Sequence, residues 1–501
     1  MTFAIAAVSF LPVGMCRNSF GPWALDFGPG SPVTTGQILA PSGCDWPAML
    51  GRSSVPVAPM PSLLRPLALV IALSAPAAHA TCTLIHAGTL IEHADRKPRS
   101  NASLLVCDGK VAEVRDGHLA AAAFGESARE AQVIDLKGHT VLPGLIDSHV
   151  HLTSDRAGVA AQLAAVTDEV PDRAYEAAWN ARKTLRAGFT TVRNLGDAHG
   201  VTLALRDAIR EGKAVGPRIF DAGQSISVTS GHMDGRLGYA SALHAAVSSG
   251  ANLCDGADEC RKTVRRQIGR GVDLIKIATT GGVNSRIGAG IGQQMFEDEA
   301  RAIVETAHLA GKRVAVHAHG ADGVRLALAV GADSIEHGTM LDDESLRLMK
   351  QSGAYLVATM STINGYKERL AADPNAYSPD VRTKIDWRLG ITGKSFRRAV
   401  EAGVNIAYGT DAGVSMHGRN ADEFELMIEH GMTPKQALTA ATMGSATLLG
   451  EQERLGSLEP GKLADLIAVQ GDPLQDVRVL KQVDWVMQSG RVVHSPEHPL
   501  E

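Results

Sequence analysis

The chain has 501 residues, of which 45% are hydrophobic and 21% charged, a balance that excludes a disordered or fibrous protein. The formal net charge is -5, and no dense run of Lys and Arg occurs, so we expect no nucleic-acid partner. The length is sufficient for one large domain and one smaller domain.

The chain begins with two segments that we do not assign to the folded protein. Residues 1–59 are rich in Gly, Pro and Ser without helical or strand periodicity, and we interpret them as translation from upstream of the biological start at Met60 or as a disordered extension. Residues 60–80 combine a basic residue, the apolar run Leu67 to Leu73 and a small-x-small site ending at Ala80, which predicts a secretory signal peptide. A buried core helix is the alternative. The run is shorter than the ~20 residues needed to span a bilayer, so we expect no stable membrane insertion and a periplasmic or secreted protein cut near Ala80.

The cysteines agree with export but do not establish it. Four of the six lie in the mature chain, an even number that an oxidising compartment can pair. The pairings nearest in sequence are Cys82 with Cys107 and Cys254 with Cys260, although the spacing leaves the connectivity open.

Residues 81–142 and 452–501 have the same short-strand character at opposite ends of the chain. The first contains "TLIHAGTLI", "ASLLVCDGKVAEV" and "AQVIDLKGHTV", and the second contains "KLADLIAV" and "VDWVMQSGRVVH". Turns of Gly and Asp separate these strands, and neither flank is large enough to form a core alone. We therefore predict one small composite β-sandwich domain built from both chain ends.

Residues 143–451 repeat a unit of helix, glycine and apolar strand. Glycine after a helix suits the left-handed cap position, and the six glycines placed in this way are Gly188, Gly271, Gly311, Gly331, Gly353 and Gly403. With "VLPGLIDSHVHL" at the start and "PRIFDAGQS" from Pro217, the repeats give eight candidate strands. Strands that alternate with helices predict an α/β fold, a (β/α)8 TIM-like barrel.

Polar side chains occur at the carboxyl ends of these strands, where barrel active sites form. Each alone has an ordinary structural explanation, but His-x-His on one strand places two imidazoles on one face, as two ligands of one ion require. A lysine among apolar residues is unusual because lysine is almost never buried unpaired. Its ammonium has no acceptor, so it could ligate a metal only as a carbamate. The residues in question are His149, His151, Lys276, His317, His319, His337 and Asp411.

The ordered motifs "PGLIDSHVHL", "LIKI", "HAHG", "EHG" and "GTDAG" resemble the metal-dependent amidohydrolase superfamily over about residues 82 to 495. The loops are similar to the imidazolonepropionase-related branch. That branch includes prolidase-like dipeptidases, carboxypeptidases and ochratoxin-hydrolysing amidohydrolases, and the resemblance is greatest to the bacterial ochratoxin A-hydrolysing group.

The resemblance implies a site for two divalent metal ions. His149, His151 and Asp411 would hold one ion, His317 and His337 the other, and carbamylated Lys276 would bridge them. Alternation turns His317 and His319 the same way, and the family pattern favours the first as the ligand. Ligands of these types accept Zn, Mn or Co, of which we expect zinc.

The resemblance also implies a mechanism. The two ions would lower the pKa of a bridging water towards ~7 and so supply hydroxide. Asp411 would pass the proton from this water to the leaving amine, and His319 would donate a hydrogen bond to the oxyanion.

Residues in the predicted loops after the strands are candidates for substrate binding. Arg286 could bind a terminal carboxylate in a bidentate manner, and the long segment after strand seven could act as a lid. For every loop candidate a solvated loop residue is an equally good interpretation. With His319, the candidates are Ser154, His232, Val283, Arg286 and Tyr366.

Three functions remain open from the sequence. The first is a metal-dependent hydrolase that cleaves an amide beside a free carboxylate, in a dipeptide, an N-acyl amino acid or ochratoxin A, where it would release phenylalanine and ochratoxin alpha. The second is a cyclic-amide hydrolase, acting on an imidazolone or lactam, or a lactonase. The third is a non-catalytic metal-binding protein. In the first two cases the partner is a small-molecule substrate, and the resemblance implies a homo-oligomer.

Overall fold

A computed structural model describes residues 82–286 and 290–500. The predicted extension at 1–59 and the signal peptide at 60–80 lie outside the described residues and stay predictions. The strands are Cys82–Leu90 (β1), Arg99–Cys107 (β2), Lys110–Asp116 (β3), Gln132–Pro143 (β4), Leu145–Val150 (β5), Phe189–Asn194 (β6), Arg218–Asp221 (β7), Ile275–Ala278 (β8), Val314–Ala318 (β9), Ser334–His337 (β10), Tyr355–Val357 (β11), Asn405–Ile406 (β12), Leu466–Val469 (β13), Val483–Gln488 (β14) and Arg491–His494 (β15).

The helices follow the strands of the central region in alternation. They are Gly158–Thr167 (α1), Val170–Arg186 (α2), Val201–Arg210 (α3), His244–Val247 (α4), Ala257–Gly269 (α5), Glu297–Leu309 (α6), Ala321–Ala329 (α7), Asp343–Ser352 (α8), Thr362–Ala372 (α9), Pro379–Ile391 (α10), Lys394–Ala402 (α11), Asp422–Glu429 (α12), Pro434–Thr439 (α13) and Ser445–Leu449 (α14). Within the described ranges, no helix has the length and apolar character required to cross a bilayer.

Strands from both chain ends form one sheet of seven strands, in the order β15-β14-β13-β4-β1-β2-β3. The sequence predicted a sandwich of two layers, whereas these strands form a single mixed sheet. The reason is the length of β4: residues 132–141 pair with β1 in parallel, and residues 140–143 pair with β13 in the antiparallel sense. One long strand therefore joins the amino-terminal strands directly to the carboxyl-terminal ones. The sheet has its own apolar core, which includes Leu104, Val141 and Trp485.

All eight strands predicted for the central region are present and parallel, but they form two sheets and not one closed barrel. β5, β6 and β7 form the smaller sheet, and β8 to β12 form the larger. Single β-bridges connect the two sheets, between Val150 and Ala412 on one side and between Ile226 and Ile277 on the other. Pairing is incomplete at the first junction because β12 has only two residues, after which the chain leaves the strand conformation.

The glycines that precede the strands have the predicted backbone conformation. All six have positive φ, between 67° and 95°. At Gly353, for example, a φ of 76° ends α8 and turns the chain into β11. Apolar side chains from both faces of the parallel strands are buried, as expected for a sheet covered by helices.

Two disulfide bonds are present in the described chain. Cys82 is joined to Cys107 across β1 and β2, and Cys254 is joined to Cys260 at the start of α5. These are the two pairings nearest in sequence.

The segment after β11, expected to be a long lid loop, is largely helical. It forms α9 and leads into α10. Both helices carry residues that border the interior cavity described below, including Tyr366 and Arg388.

Candidate metal centre

Two groups of side chains of the types that can hold a metal ion lie close together at the carboxyl ends of the parallel strands. His149, His151 and Asp411 form one group, and His317, His319 and His337 form the other. Within each group the nearest ligand atoms lie within 4.8 Å of one another. The rings of His149 and His337 have centroids 5.1 Å apart, so the groups adjoin. All six residues are among those predicted from the sequence.

The backbone at two of these positions is strained. His337 has φ of 73° and Asp411 has φ of 57°, in the left-handed region that residues other than glycine seldom occupy. Such a conformation costs of order 1–3 kcal/mol and persists where surrounding contacts require it. The Asp411 amide donates to the His149 carbonyl at 2.7 Å, which directs the carboxylate towards the imidazoles. Asp411 Oδ1 lies 3.3 Å from His151 Nε2 and 3.5 Å from His149 Nε2.

Hydrogen bonds fix the protonated nitrogen of three histidines. His149 Nδ1 lies 2.8 Å from the Glu336 carboxylate, and His151 Nδ1 lies 3.3 Å from the Gly196 carbonyl. His317 Nε2 lies 3.3 Å from the Gly281 carbonyl. Because a carbonyl or a carboxylate can only accept here, each of these ring nitrogens donates its N–H. The opposite nitrogen of each ring then carries a lone pair for a metal ion.

His337 and His319 each bond to a threonine hydroxyl through Nδ1, but the hydrogen bonds run in opposite directions, so the two rings carry their hydrogen on different nitrogens. The Thr359 hydroxyl donates to the Ala358 carbonyl at 2.8 Å, so at 2.7 Å it accepts from His337 Nδ1. His337 Nε2 is therefore free for a metal ion.

The hydroxyl that contacts His319 has the opposite polarity. Thr339 Oγ1 accepts from Arg388 Nη1 at 2.5 Å, and among the described residues His319 Nδ1, 2.8 Å away, is the acceptor for its proton. His319 Nε2 then carries the hydrogen. Distance alone groups His319 with His317 and His337, but this hydrogen bond makes it a donor. A ring nitrogen that holds a proton has no lone pair for a metal ion, which distinguishes His319 Nε2 from the free nitrogens of His317 and His337.

Lys276 lines the same inner cavity as both groups and is 1% exposed. Its Nζ is buried and has no hydrogen-bond partner among the described residues. Burial lowers the pKa of Lys276 to about 8, although Glu336 and Asp411 act in the opposite direction. An unpaired buried ammonium is costly, so a free, charged lysine is unfavourable at this position.

Burial favours the neutral form of three imidazoles of the centre, those of His149, His317 and His337. Burial lowers the pKa of His149 to about 4, and burial also lowers the pKa of His317 and His337 well below the ordinary value. Burial alone would raise the pKa of Asp411, but His149, His151 and Lys276 hold it below its ordinary value. Neutral imidazoles and an ionised carboxylate are the forms that bind a divalent cation.

Two adjoining cavities lie at the centre. The inner one, of about 120 Å³, contains the metal-ligating side chains, and the outer one, of about 380 Å³, is within the size range of small-molecule sites. Four residues border both cavities: His151, His232, Asn284 and Val414.

The predicted substrate contacts divide between the cavities. Val283, His319 and Tyr366 border the inner cavity, Ser154 and Arg286 border the outer cavity, and His232 borders both. The buried Tyr366 hydroxyl accepts from Asn284 Nδ2 at 3.2 Å. The His232 ring stacks on His317 with centroids 4.1 Å apart, and its Nδ1 is buried without a partner among the described residues.

Sequence reasoning missed several polar residues that support the centre. Glu336 is fully buried, and Arg193 Nη2 donates to it at 2.7 Å. Both stand in apolar strands, in "SIEHG" and "TTVRN", where a lone charge signals a buried partner. Thr339 and Arg388 carried no comparable signal, because neither residue type stands out in its segment.

Comparison with known proteins finds matches along most of the chain. Residues 140–493 match the model of the amidohydrolase family. The ochratoxinase of Aspergillus niger is 32% identical over 441 residues, covering 83% of this chain and 88% of the relative. The imidazolonepropionase of Geobacillus kaustophilus is 27% identical, covering 78% of this chain and 90% of the relative. The solved structure of a Xaa-Pro dipeptidase with methionine bound in its active site is 40% identical, with a TM-score of 0.77, and covers 83% of this chain and all of that one.

Proposed function

Because the chain belongs to the amidohydrolase family, we propose that it is a binuclear metal-dependent hydrolase that cleaves an amide bond beside a free carboxylate. The observation that carries the proposal is the pair of adjoining ligand groups, with free ring nitrogens, in the same cavity as Lys276, whose Nζ has no partner among the described residues. Suitable substrates are dipeptides, N-acyl amino acids and ochratoxin A, which would give phenylalanine and ochratoxin alpha. Relatives named ochratoxinase and Xaa-Pro dipeptidase support this choice.

The residues of the centre suit two divalent cations, for which zinc is our first choice. His149, His151 and Asp411 would hold one ion, and His317 and His337 would hold the other. The neutral amine of Lys276 would add carbon dioxide through a new N–C bond and release one proton, and the resulting carbamate would serve as a ligand to both ions. Bound ions would lower the pKa of a water molecule towards neutrality and polarise the scissile carbonyl.

The protein side chains would carry the proton and position the oxyanion. Asp411 would accept the proton of the attacking water and deliver it to the nitrogen of the leaving amine. His319, with hydrogen on Nε2, would donate to the carbonyl oxygen as that atom gains negative charge. The Thr339 hydroxyl keeps His319 in the tautomer that this donation requires.

A panel of substrates tests the proposal. Zinc-loaded protein should release phenylalanine from ochratoxin A or from N-acyl phenylalanine, or cleave Xaa-Pro dipeptides. The similarity to imidazolonepropionases favours a second candidate, hydrolysis of an imidazolone or lactam ring, with a lactone as a further option. Opening of a ring substrate without cleavage of any linear amide would favour that alternative. Absence of turnover on all members, by protein with two ions per chain, would favour a non-catalytic metal-binding role.

Export and assembly are parts of the same proposal. The mature protein would begin near Thr81 in the periplasm or outside the cell, where its two disulfides are stable. Mass spectrometry of the amino terminus after expression with the leader tests the cleavage site. Light scattering tests whether the protein is a homo-oligomer.

A further inference from the structure

Arg388, on α10, is a buried cation without a carboxylate partner. The residue is 3% exposed and borders the inner cavity. Nη1 donates to the Thr339 hydroxyl at 2.5 Å, and Nη2 donates to the carbonyls of Ala358 and Thr359 at 3.3 and 3.4 Å. Among the described residues, no carboxylate oxygen lies within 4.0 Å of its guanidinium, the limit for an ion pair.

The nearby acidic groups already have other partners. Both Glu423 oxygens accept main-chain N–H groups, from Met360 at 2.9 Å and from Ser361 at 2.6 Å. Asp411 faces His149 and His151. A guanidinium keeps its charge at any physiological pH and offers five N–H donors, so three neutral acceptors leave both charge and donors unsatisfied.

We propose that Arg388 binds the terminal carboxylate of the substrate and so selects amides that carry one. This inference rests on the proposed function and adds the residue that recognises the substrate class. A planar guanidinium can bind a carboxylate through two parallel hydrogen bonds. The carboxylate of the ligand supplies the missing negative charge. A neutral analogue lacks this charge and should therefore bind much more weakly.

The position of Arg388 agrees with the geometry of such a substrate. Arg388 and His319 bond to the same hydroxyl of Thr339, so the guanidinium lies one side chain away from the proposed oxyanion donor. In an N-acyl amino acid only one Cα atom separates the nitrogen of the scissile amide from the carboxylate. The two groups are therefore no farther apart than neighbouring residues of a chain, whose Cα atoms are about 3.8 Å apart. The carboxylate must therefore bind beside the metal ligands and not at the entrance.

Arg286, the candidate from the sequence, is placed less well for this role. It borders the outer cavity, and its guanidinium donates to Gln162 Oε1 at 2.9 Å and to the Gly238 carbonyl at 3.3 Å. These bonds hold Arg286 against the wall of the entrance.

The test compares two substrates that differ only in the carboxylate, N-benzoyl-L-phenylalanine and N-benzoylphenethylamine. Wild-type protein should prefer the first in kcat/KM by roughly 10²- to 10³-fold, the range for a desolvated charge pair. Arg388→Gln should reduce this ratio to less than tenfold. Arg388→Lys, which keeps the charge but not the fork, should give an intermediate ratio. The ratio is independent of the fraction of protein that folds.

A matched control is Arg313→Gln. Arg313 also donates to main-chain carbonyls, those of Thr447 and Leu448, but it precedes β9 at the opposite end of the strand from the metal ligands. This variant should keep the wild-type ratio. An unchanged ratio in Arg388→Gln would overturn the inference and leave the proposed function standing.

Calorimetry with L-phenylalanine and phenethylamine separates the inference from the proposed function. Zinc-loaded wild type should bind the amino acid, and Arg388→Gln should bind it at least tenfold more weakly. Loss of turnover on every linear amide, with binding that still depends on Arg388, would reject the function but keep the anion site. Equal binding by the two proteins would reject the site.

Discussion

The Glu336 carboxylate lies 2.8 Å from His149 Nδ1 and accepts a hydrogen bond from its N–H, while Arg193 donates to the other carboxylate oxygen. The contact makes His149 more basic and holds its ring in one orientation. Outer contacts of this kind typically change metal affinity by 10- to 100-fold. We therefore expect Glu336→Gln to weaken zinc binding by that factor, measured by competition with a chromogenic chelator.

Glu299→Gln is the control for this substitution. Glu299 is also buried, but its oxygens accept hydrogen bonds from the amide of Gly256, just before α5, and from that of Phe296, just before α6. It should lower thermal stability without a change in zinc affinity. Equal affinity in Glu336→Gln and wild type would contradict the role that we give Glu336.

Lys276 provides the second prediction. Lys276→Met keeps the length and apolar character of the buried side chain but cannot form a carbamate. We expect the metal content to fall from two ions per chain to one or fewer, with the far-ultraviolet circular dichroism unchanged. Elemental analysis of the purified protein gives the content, and two tightly held ions in the variant would exclude Lys276 as a bridge.

The third prediction distinguishes the role of His317, which lies in β9, from that of His319, the residue just after the strand. His317→Asn should remove one ion, because it deletes a free ring nitrogen. His319→Asn should keep both ions and lower kcat by about 10²- to 10³-fold, the cost of one oxyanion donor. If His319→Asn loses metal and His317→Asn does not, the assignment of the ligand has to be reversed.

The contrast between predicted and missed residues follows from the range of the interactions. The alternation of side chains along a strand places His149 and His151 on one face, and this alternation can be read from neighbouring residues alone. The contact between His149 and Glu336 joins residues 187 positions apart, and no local pattern announces it. The single sheet, in place of a sandwich, was missed for a similar reason, because nothing local indicates that residues 132–141 of β4 pair with β1 while residues 140–143 pair with β13.

Asp411 provides the fourth prediction. Its φ of 57° is tolerated by Asp and Asn better than by other residues that carry a Cβ atom, so Asn is the conservative replacement. Asp411→Asn should keep the wild-type melting temperature of the metal-free protein and lose nearly all turnover, measured as product release under saturating zinc. Activity close to wild type would show that another group accepts the proton.

The fifth prediction concerns pH and stability at Asp197. Burial raises the pKa of Asp197 to about 7, and the buried Asp221 nearby adds to the effect. In the unfolded chain the same group titrates near 4. Between pH ~4 and ~7 the unfolded state therefore holds fewer protons than the native state, and stability from this group falls as the pH rises. Asp197→Asn removes the titration and keeps the oxygen that accepts from the Thr202 amide and hydroxyl, at 2.9 and 3.1 Å.

The measurement is the difference in unfolding free energy between Asp197→Asn and wild type in urea, from pH 5 to pH 8. The difference should grow in favour of the variant as the pH rises to about 7, at a rate of at most about 1.4 kcal/mol per pH unit, and then level off. Groups that do not interact with Asp197 titrate alike in both proteins and cancel in the difference. A difference that is constant with pH would mean that Asp197 is already ionised in the native protein, and that its environment is more polar than its burial implies.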